Sequence, residues 1–286
     1  MLKHRGTVVH GPPGSGKTYF SATSLLRLCR AASGTGKQLY VVVTAVTHAA
    51  IDCLLEKASK LAGDDVRVVK IDHEAKRPSK PGDLCWLSPP EKARYSKKNA
   101  VAGEVVSVSD DGERYVVRVG AREVAASKNH VRLRWTFDVV GASTSAVDRL
   151  LAEGRPIIVG ATTYKVSKIL AADDARRCDV LLVDEASQML QAQFALAARN
   201  LDPENGRLVV VGDHRQMAPT IRTQLPDGVD CGRSILDHLR AALRDTDCVG
   251  MLAENHRMCP ALCDFTERAL EYEGYRICSS GGCRCR

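Results

Sequence analysis

The chain predicts an α/β fold, a parallel β-sheet flanked by helices, with a small β-rich insertion near its middle. Three observations predict it. Six short apolar runs, bounded by turn residues, are continuous rather than alternating, as in strands buried on both faces of a parallel sheet. Stretches with helical spacing lie between them. A glycine-rich octapeptide follows the first run, at the point where a strand passes into a helix.

The runs read GTVVH at 6–10, LYVVVT at 39–44, VRVVKI at 66–71, PIIVG at 156–160, DVLLVD at 179–184 and RLVVVG at 207–212. Their β-branched residues fit a pleated, enclosed surface. Helical spacing covers 18–31, 47–61 and 187–199. Strand, helix and strand in repetition give a layered sandwich that binds ligands at the carboxyl ends of its strands. Residues 73–135 break this rhythm. Segment 76–90 is rich in Pro, Ser and Lys. GEVVSVSDDGERYVVRVG at 103–120 reads as two alternating strands joined at Asp110, Asp111 and Gly112, and a further short strand falls at 131–135. The expectation is a barrel-like insertion. It carries 13 Lys and Arg against 8 Asp and Glu, most of the chain's net charge of +7. Such a segment attracts phosphate backbones, and is equally what a solvated surface looks like.

With 286 residues, 44% of them apolar and 26% charged, the chain can bury a core, which excludes a disordered polypeptide. No apolar run reaches the ~18 residues that span a bilayer. The opening MLKHRGTVVHGPPG leads straight into a glycine loop, unlike a signal peptide. No membrane association is expected, and an intracellular setting, cytoplasmic or nuclear, is. The eleven cysteines are scattered, which suits reduced thiols. Cys259 and Cys263 sit four apart, and Cys278, Cys283 and Cys285 crowd the C-terminus. A zinc site needs about four suitably spaced ligands, so these read as buried thiols and an unstructured tail.

GPPGSGKT at 11–18 fits the phosphate-loop pattern in full. Gly11, Pro12, Pro13, Gly14, Ser15 and Gly16 would curl the backbone so that successive N–H groups face phosphates, and the following helix adds its dipole. Lys17 would neutralise the β- and γ-phosphates, and Thr18 would ligate Mg²⁺. Asp184 and Glu185 end the apolar run CDVLLV. Asp184 is the candidate magnesium ligand and Glu185 the base for the attacking water. An isolated Asp-Glu pair is equally a solvated strand end. A complete phosphate loop upstream favours the functional reading.

VDEASQ at 183–188, GDHRQMAPT at 212–220 and ENHRM at 254–258 resemble successive motifs of superfamily 1 helicases. The branch they most resemble includes the RNA-surveillance and Okazaki-fragment-processing helicases. VVVTAVTHAAID at 41–52 is similar to the family's strand-to-loop motif that touches nucleic acid, and VGATTY at 159–164 to the next. The likeness runs from the first residues to about residue 274, apart from the insertion. It implies an AAA-type, RecA-like P-loop motor that uses ATP and Mg²⁺ and acts on single-stranded DNA or RNA, with 5′ to 3′ polarity in this branch. The lobe would comprise 1–72 and 136–252, the insertion 73–135, and the start of a second lobe 253–286.

The resemblance assigns Gln216 as the amide that senses γ-phosphate or attacking water, and Arg257 as the arginine that reaches the γ-phosphate. Alone, they would read as a surface amide and a helix-start ion pair. Thr44, Thr47, His48 and Thr163 are candidate nucleic-acid contacts, although threonine is also a normal helix cap. Tyr95, Tyr115 and Trp135 offer stacking faces or core packing.

The sequence departs from the family in two ways. Only ten residues precede Gly11, where relatives carry an adenine-reading glutamine segment, so ATP preference comes from the resemblance alone. After ENHRM, only FTERALEYEGY resembles the entry to the second lobe, and RICSSGGCRCR resembles nothing in the family. An arginine finger is worth ~10³–10⁵ in rate, so the expectation is Mg·ATP binding with weak hydrolysis and no unwinding. The alternative is a nucleic-acid-binding or scaffold module that holds ATP as a structural ligand.

Overall fold

The computed structural model describes residues 4–72, 82, 84–88, 100–133, 136–140, 144–169, 176–221, 232–270 and 278–279. The chain divides into two compact units, Met1–Ile71 with Ala142–Arg286, and Asp72–Gly141.

The first unit begins with β1 (Gly6–His10), α1 (Lys17–Gly34), β2 (Tyr40–Thr44), α2 (His48–Ala62) and β3 (Arg67–Ile71). The second contains β4 (Leu84–Leu87), β5 (Val101–Val108), β6 (Arg114–Val119), β7 (Arg122–Ser127), β8 (Val131–Leu133) and β9 (Asp138–Val140). The first then resumes with α3 (Thr144–Leu151), β10 (Ile157–Gly160), α4 (Thr163–Ile169), β11 (Val180–Val183), α5 (Gln191–Ala198) and β12 (Arg207–Gly212). It closes with α6 (Ile235–Ala242), β13 (Val249–Met251), β14 (Glu254–Asn255), α7 (Pro260–Leu270) and β15 (Cys278–Ser279).

In the first unit the strands run in the order β13-β1-β12-β11-β2-β10-β3, and every pairing is parallel. All six apolar runs are strands of this sheet, as the predicted α/β class requires. Their side chains are enclosed: β2, β10 and β11 are buried throughout. Burial of each valine or leucine contributes about 1.5–3 kcal/mol. The helices bury one face each, α1 through Ala22, Leu25, Leu26 and Cys29, and α2 through Ile51, Leu54, Leu55 and Ala58. Close packing of α2 depends on Gly160, where a Cβ would come within 2.5 Å of Leu55 and 2.8 Å of Ile51. Because β12 lies between β1 and β11, the carboxyl ends of the loop strand and of the carboxylate-bearing strand sit one strand apart.

The second unit has a five-stranded ladder, β7-β6-β5-β4-β8, paired antiparallel. β7 and β8 are its two ends among the described residues. β5 and β6 form the expected hairpin, with a register shift between Val105 and Ser107. In its turn the Asp111 carboxylate accepts from the Ser109 hydroxyl at 2.5 Å and from the Glu113 N–H at 2.9 Å. Alternate residues supply the core, Cys85, Leu87, Val105, Tyr115, Val117 and Val131. Tyr115 is therefore a core residue rather than a stacking face. Tyr95 and Trp135 lie outside the described residues, as does most of the Pro, Ser and Lys segment.

Cys263 is a buried thiol within α7, and Cys259 immediately precedes that helix. Cys283 and Cys285 lie outside the described residues. No described helix is long and apolar enough to cross a membrane.

Candidate nucleotide-binding site

β1 ends at His10, and the chain curls through residues 11–16 before α1 opens at Lys17. Gly14 at φ 86° and Gly16 at φ 79° occupy the left-handed region, which glycine enters without Cβ strain. Gly16 is the N-cap of α1, and no side chain caps it. The N–H groups of the first turn and the helix dipole are thus arranged to favour an anion. Lys17 Nζ donates to the carbonyls of Gly11 (2.8 Å) and Pro12 (3.1 Å). Burial lowers the pKa of this ammonium, while Asp213, Glu185 and Asp184 oppose the shift and Arg257 adds to it. A partly desolvated cation amid three carboxylates is suited to a strongly anionic ligand.

Asp184 leaves β11 with its N–H donated to the Thr44 carbonyl at 2.9 Å and is 4% exposed. Burial pushes its carboxyl up to about 7, with the Glu185 charge acting in the same direction. The Glu185 N–H donation at 3.0 Å and the Lys17 ammonium pull the other way. A divalent cation would restore the ionised form, so the residue fits a magnesium site, with Thr18 supplying a second hard oxygen.

Glu185 has φ 51°, the only positive value at a non-glycine position among the described residues. Its Oε2 is enclosed and has no hydrogen-bond partner. Strain and an unsatisfied carboxylate oxygen at one residue each cost stability.

Beyond β12, Asp213 is fully buried, and its carboxylate accepts from the Arg215 N–H at 3.0 Å. Its carbonyl accepts from the Gln216 N–H at 3.1 Å. His214 packs edge-on against His10, with ring centroids 5.0 Å apart.

A cavity of about 560 Å³ brings the predicted residues together. Pro13, Gly14, Gly16, Lys17 and Thr18 line it together with Glu185, Gln216, His256 and Arg257. Gly11, Pro12, Ser15 and Asp184 lie behind this surface, buried.

Sequence reasoning missed two features of the site, one of them part of the cavity wall. Cys53, Glu56, Lys57 and Lys60 line it at the spacing of one helical face of α2, and Tyr19 joins them beneath the Lys57 ammonium. That spacing was legible in the sequence, but nothing there said what the face looked onto. Asn255 is the second: it does not line the cavity but is fully buried, and its Nδ2–H donates to the Pro13 carbonyl at 2.7 Å. Residues 242 apart give no local signal of such a contact.

The four candidate nucleic-acid contacts are placed differently from one another. Thr44 has no exposed surface, and its side chain is enclosed at the end of β2. A threonine ending a valine-rich strand reads the same whether its end is open or covered. Thr163 is 7% exposed and opens α4. Thr47 is exposed and caps α2, accepting from the Ala50 N–H at 3.3 Å. His48 is half-buried. Next to Thr163, Tyr164 is 63% exposed, with the Lys168 ammonium 4.5 Å from its ring centre.

Comparison with known proteins bears on the family of the chain. The AAA domain family model AAA_19 matches residues 1–222. The chain is 22% identical over 284 residues to DNA polymerase alpha-associated DNA helicase A of Saccharomyces cerevisiae, covering 94% of this chain and 38% of that protein. It is 26% identical over 275 residues to DNA-binding protein SMUBP-2 of Rattus norvegicus, covering 93% and 25%. It is 24% identical over 241 residues to the Regulator of nonsense transcripts 1 homolog of Drosophila melanogaster, covering 82% and 17%. The chain thus spans well under half the length of these relatives. The family model matches more than three quarters of this chain's residues, and on that ground the chain belongs to the AAA domain family, as a P-loop domain of superfamily 1 helicase type.

Proposed function

We propose that the chain is the ATP-binding core of a superfamily 1 helicase-type motor, which binds Mg·ATP, hydrolyses it and engages single-stranded nucleic acid. One observation carries this reading. The strained Glu185, with an enclosed and unpartnered carboxylate oxygen, shares a cavity with Lys17, Gln216 and Arg257. Such a carboxylate is suited to orient a water molecule and accept its proton. Gln216 supplies an amide that can hold the same water or a γ-phosphate oxygen. Lys17 and Arg257 supply positive charge where negative charge spreads over the transferred phosphoryl group, and a planar guanidinium suits that spread. The loop backbone from Gly11 to Gly16 cradles the phosphates. Thr18 and Asp184 would hold magnesium, which when bound neutralises phosphate oxygens.

In this reading residues 1–72 and 136–252 form the motor lobe, 73–135 a basic accessory insertion, and 253–286 the entry to a second lobe. Thr47 and His48, beyond the end of β2, and Tyr164, beyond the end of β10, offer backbone contacts and a stacking face to a single strand. β2 and β10 are adjacent and parallel in the sheet, so these residues follow the carboxyl ends of neighbouring strands. The names of two relatives, a DNA helicase and a DNA-binding protein, agree with a nucleic-acid partner.

Glu185→Gln tests the reading. It should keep Mg·ATP affinity and lower single-turnover hydrolysis by about 10²–10⁴-fold, the contribution of a positioned base. Hydrolysis at the wild-type rate would contradict the assignment.

A further inference from the structure

We infer that Asn255 is a positioning residue that fastens Arg257 to the phosphate loop, so that this one buried amide sets how strongly the site prefers a nucleoside triphosphate to a diphosphate. The inference rests on the nucleotide-binding reading above and assigns a role to a residue that touches no phosphate itself. Asn255 is the second residue of β14 and has no exposed surface. Its amide is used from both ends. Nδ2–H donates to the Pro13 carbonyl at 2.7 Å, while Oδ1 accepts from the N–H groups of Arg257 (2.9 Å) and Met258 (2.8 Å). A second strut runs alongside, from the His256 N–H to the Gly14 carbonyl at 2.9 Å.

There is no slack between the two segments. A Cβ on Gly14 would come within 2.7 Å of both Arg257 Cβ and Asn255 Oδ1. The backbone that cradles phosphates and the backbone that carries Arg257 therefore move together. The chemistry demands an amide here. A carboxylate could accept from Arg257 and Met258 but could not donate to Pro13, and an aliphatic side chain could do neither. Arg257 lines the cavity beside Lys17, and its charge is felt there, since it depresses the Lys17 pKa. Held in this place, the guanidinium meets the extra charge of a third phosphate. Without the Asn255 amide, the backbone that carries this exposed side chain loses one of its two ties to the loop. By reciprocity, a triphosphate that favours this position of Arg257 also favours the loop conformation that Asn255 ties to it.

The test is the ratio of affinities for a non-hydrolysable ATP analogue and for ADP, both with magnesium, by isothermal titration calorimetry. Asn255→Asp removes the donor and keeps the acceptor. It should lower the triphosphate-to-diphosphate ratio by about five- to thirtyfold, within the usual range of coupling between sites, while ADP affinity changes far less. Asn255→Ala adds no charge and should lower the ratio as well. It also serves if the aspartate variant fails to fold in a thermal melt. A merely structural asparagine would weaken both nucleotides together and leave the ratio alone. In an Arg257→Ala background, which should itself lose the preference, either substitution should change the ratio no further. An unchanged ratio in both Asn255 variants would overturn the inference, as would losses that multiply with that of Arg257→Ala. If the wild-type chain binds neither nucleotide, the nucleotide-binding reading fails and this inference falls with it. If it binds both with a clear preference that the Asn255 variants retain, the inference alone fails.

Discussion

Glu185 adopts a backbone conformation that asparagine or glycine would occupy more comfortably, and it encloses a carboxylate oxygen without a partner. Strain of this kind costs of order 1–3 kcal/mol. Glu185→Asn should therefore raise stability by about 1 kcal/mol in urea unfolding while abolishing hydrolysis, the usual opposition between stability and activity. A destabilised asparagine variant would show that the glutamate is not strained. Gly14 shows the converse. An alanine there meets both Asn255 and Arg257 at 2.7 Å and takes a left-handed φ, so Gly14→Ala should remove nucleotide binding and cost about 1–3 kcal/mol of stability. The motif residues themselves were legible because each carries its chemistry in its identity and spacing. Asn255 was not, since an asparagine with neither neighbours nor burial in view says nothing about the carbonyl it reaches.

At the scale of elements, six strands could be read from the sequence because double-sided burial selects continuous β-branched runs. α3, α4 and α6 could not: they are seven or eight residues long, two turns in which helical periodicity barely repeats. β13 is three residues with a glycine at its centre. The helix expected from residue 187 begins at Gln191 instead, after a single 3-10 turn at Ala186–Gln188. The left-handed Glu185 that leads into this turn is the local cause. α2 contains a polar contact that its helical spacing concealed. Asp52, 7% exposed, forms a buried ion pair with Lys70 of β3, 1% exposed. Asp52 precedes Cys53 and lies one turn from Glu56, so this pair anchors the helix whose more exposed face lines the cavity. Breaking a buried pair leaves a charge without that counter-ion and costs about 3–5 kcal/mol, whereas replacing both partners by apolar residues is often neutral. Lys70→Met should show the full loss in urea unfolding, and Lys70→Met with Asp52→Leu should recover most of it. Equal losses in the single and double variants would remove the pair from the stability of α2.

Across the whole molecule, the His10 and His214 pair couples the loop strand to the strand that leads to Gln216. Burial lowers His10 from 6.5 to about 3, assisted by Arg240, His214 and Lys17, and lowers His214 to about 4, assisted by Arg240 and Arg215. Both rings are neutral in the folded chain at neutral pH, whereas in the unfolded chain they gain protons below 6.5. Stability should hold above pH 6.5 and fall as pH drops from there toward 3 to 4. His214→Gln should flatten part of that slope, as followed by urea midpoints across the range. A histidine titrating near 6.5 by NMR at either position would contradict the account.

The central claim is that one cavity unites the phosphate loop, Glu185, Gln216 and Arg257, with the buried Asp184 next to Glu185, as a site for Mg·nucleoside triphosphate. Titration of the intact chain with a fluorescent ATP analogue, with and without magnesium, tests it most directly. The account predicts saturable one-to-one binding that is strengthened by magnesium and lost in Lys17→Ala. Absence of binding by the wild-type chain, or equal binding by Lys17→Ala, would contradict it.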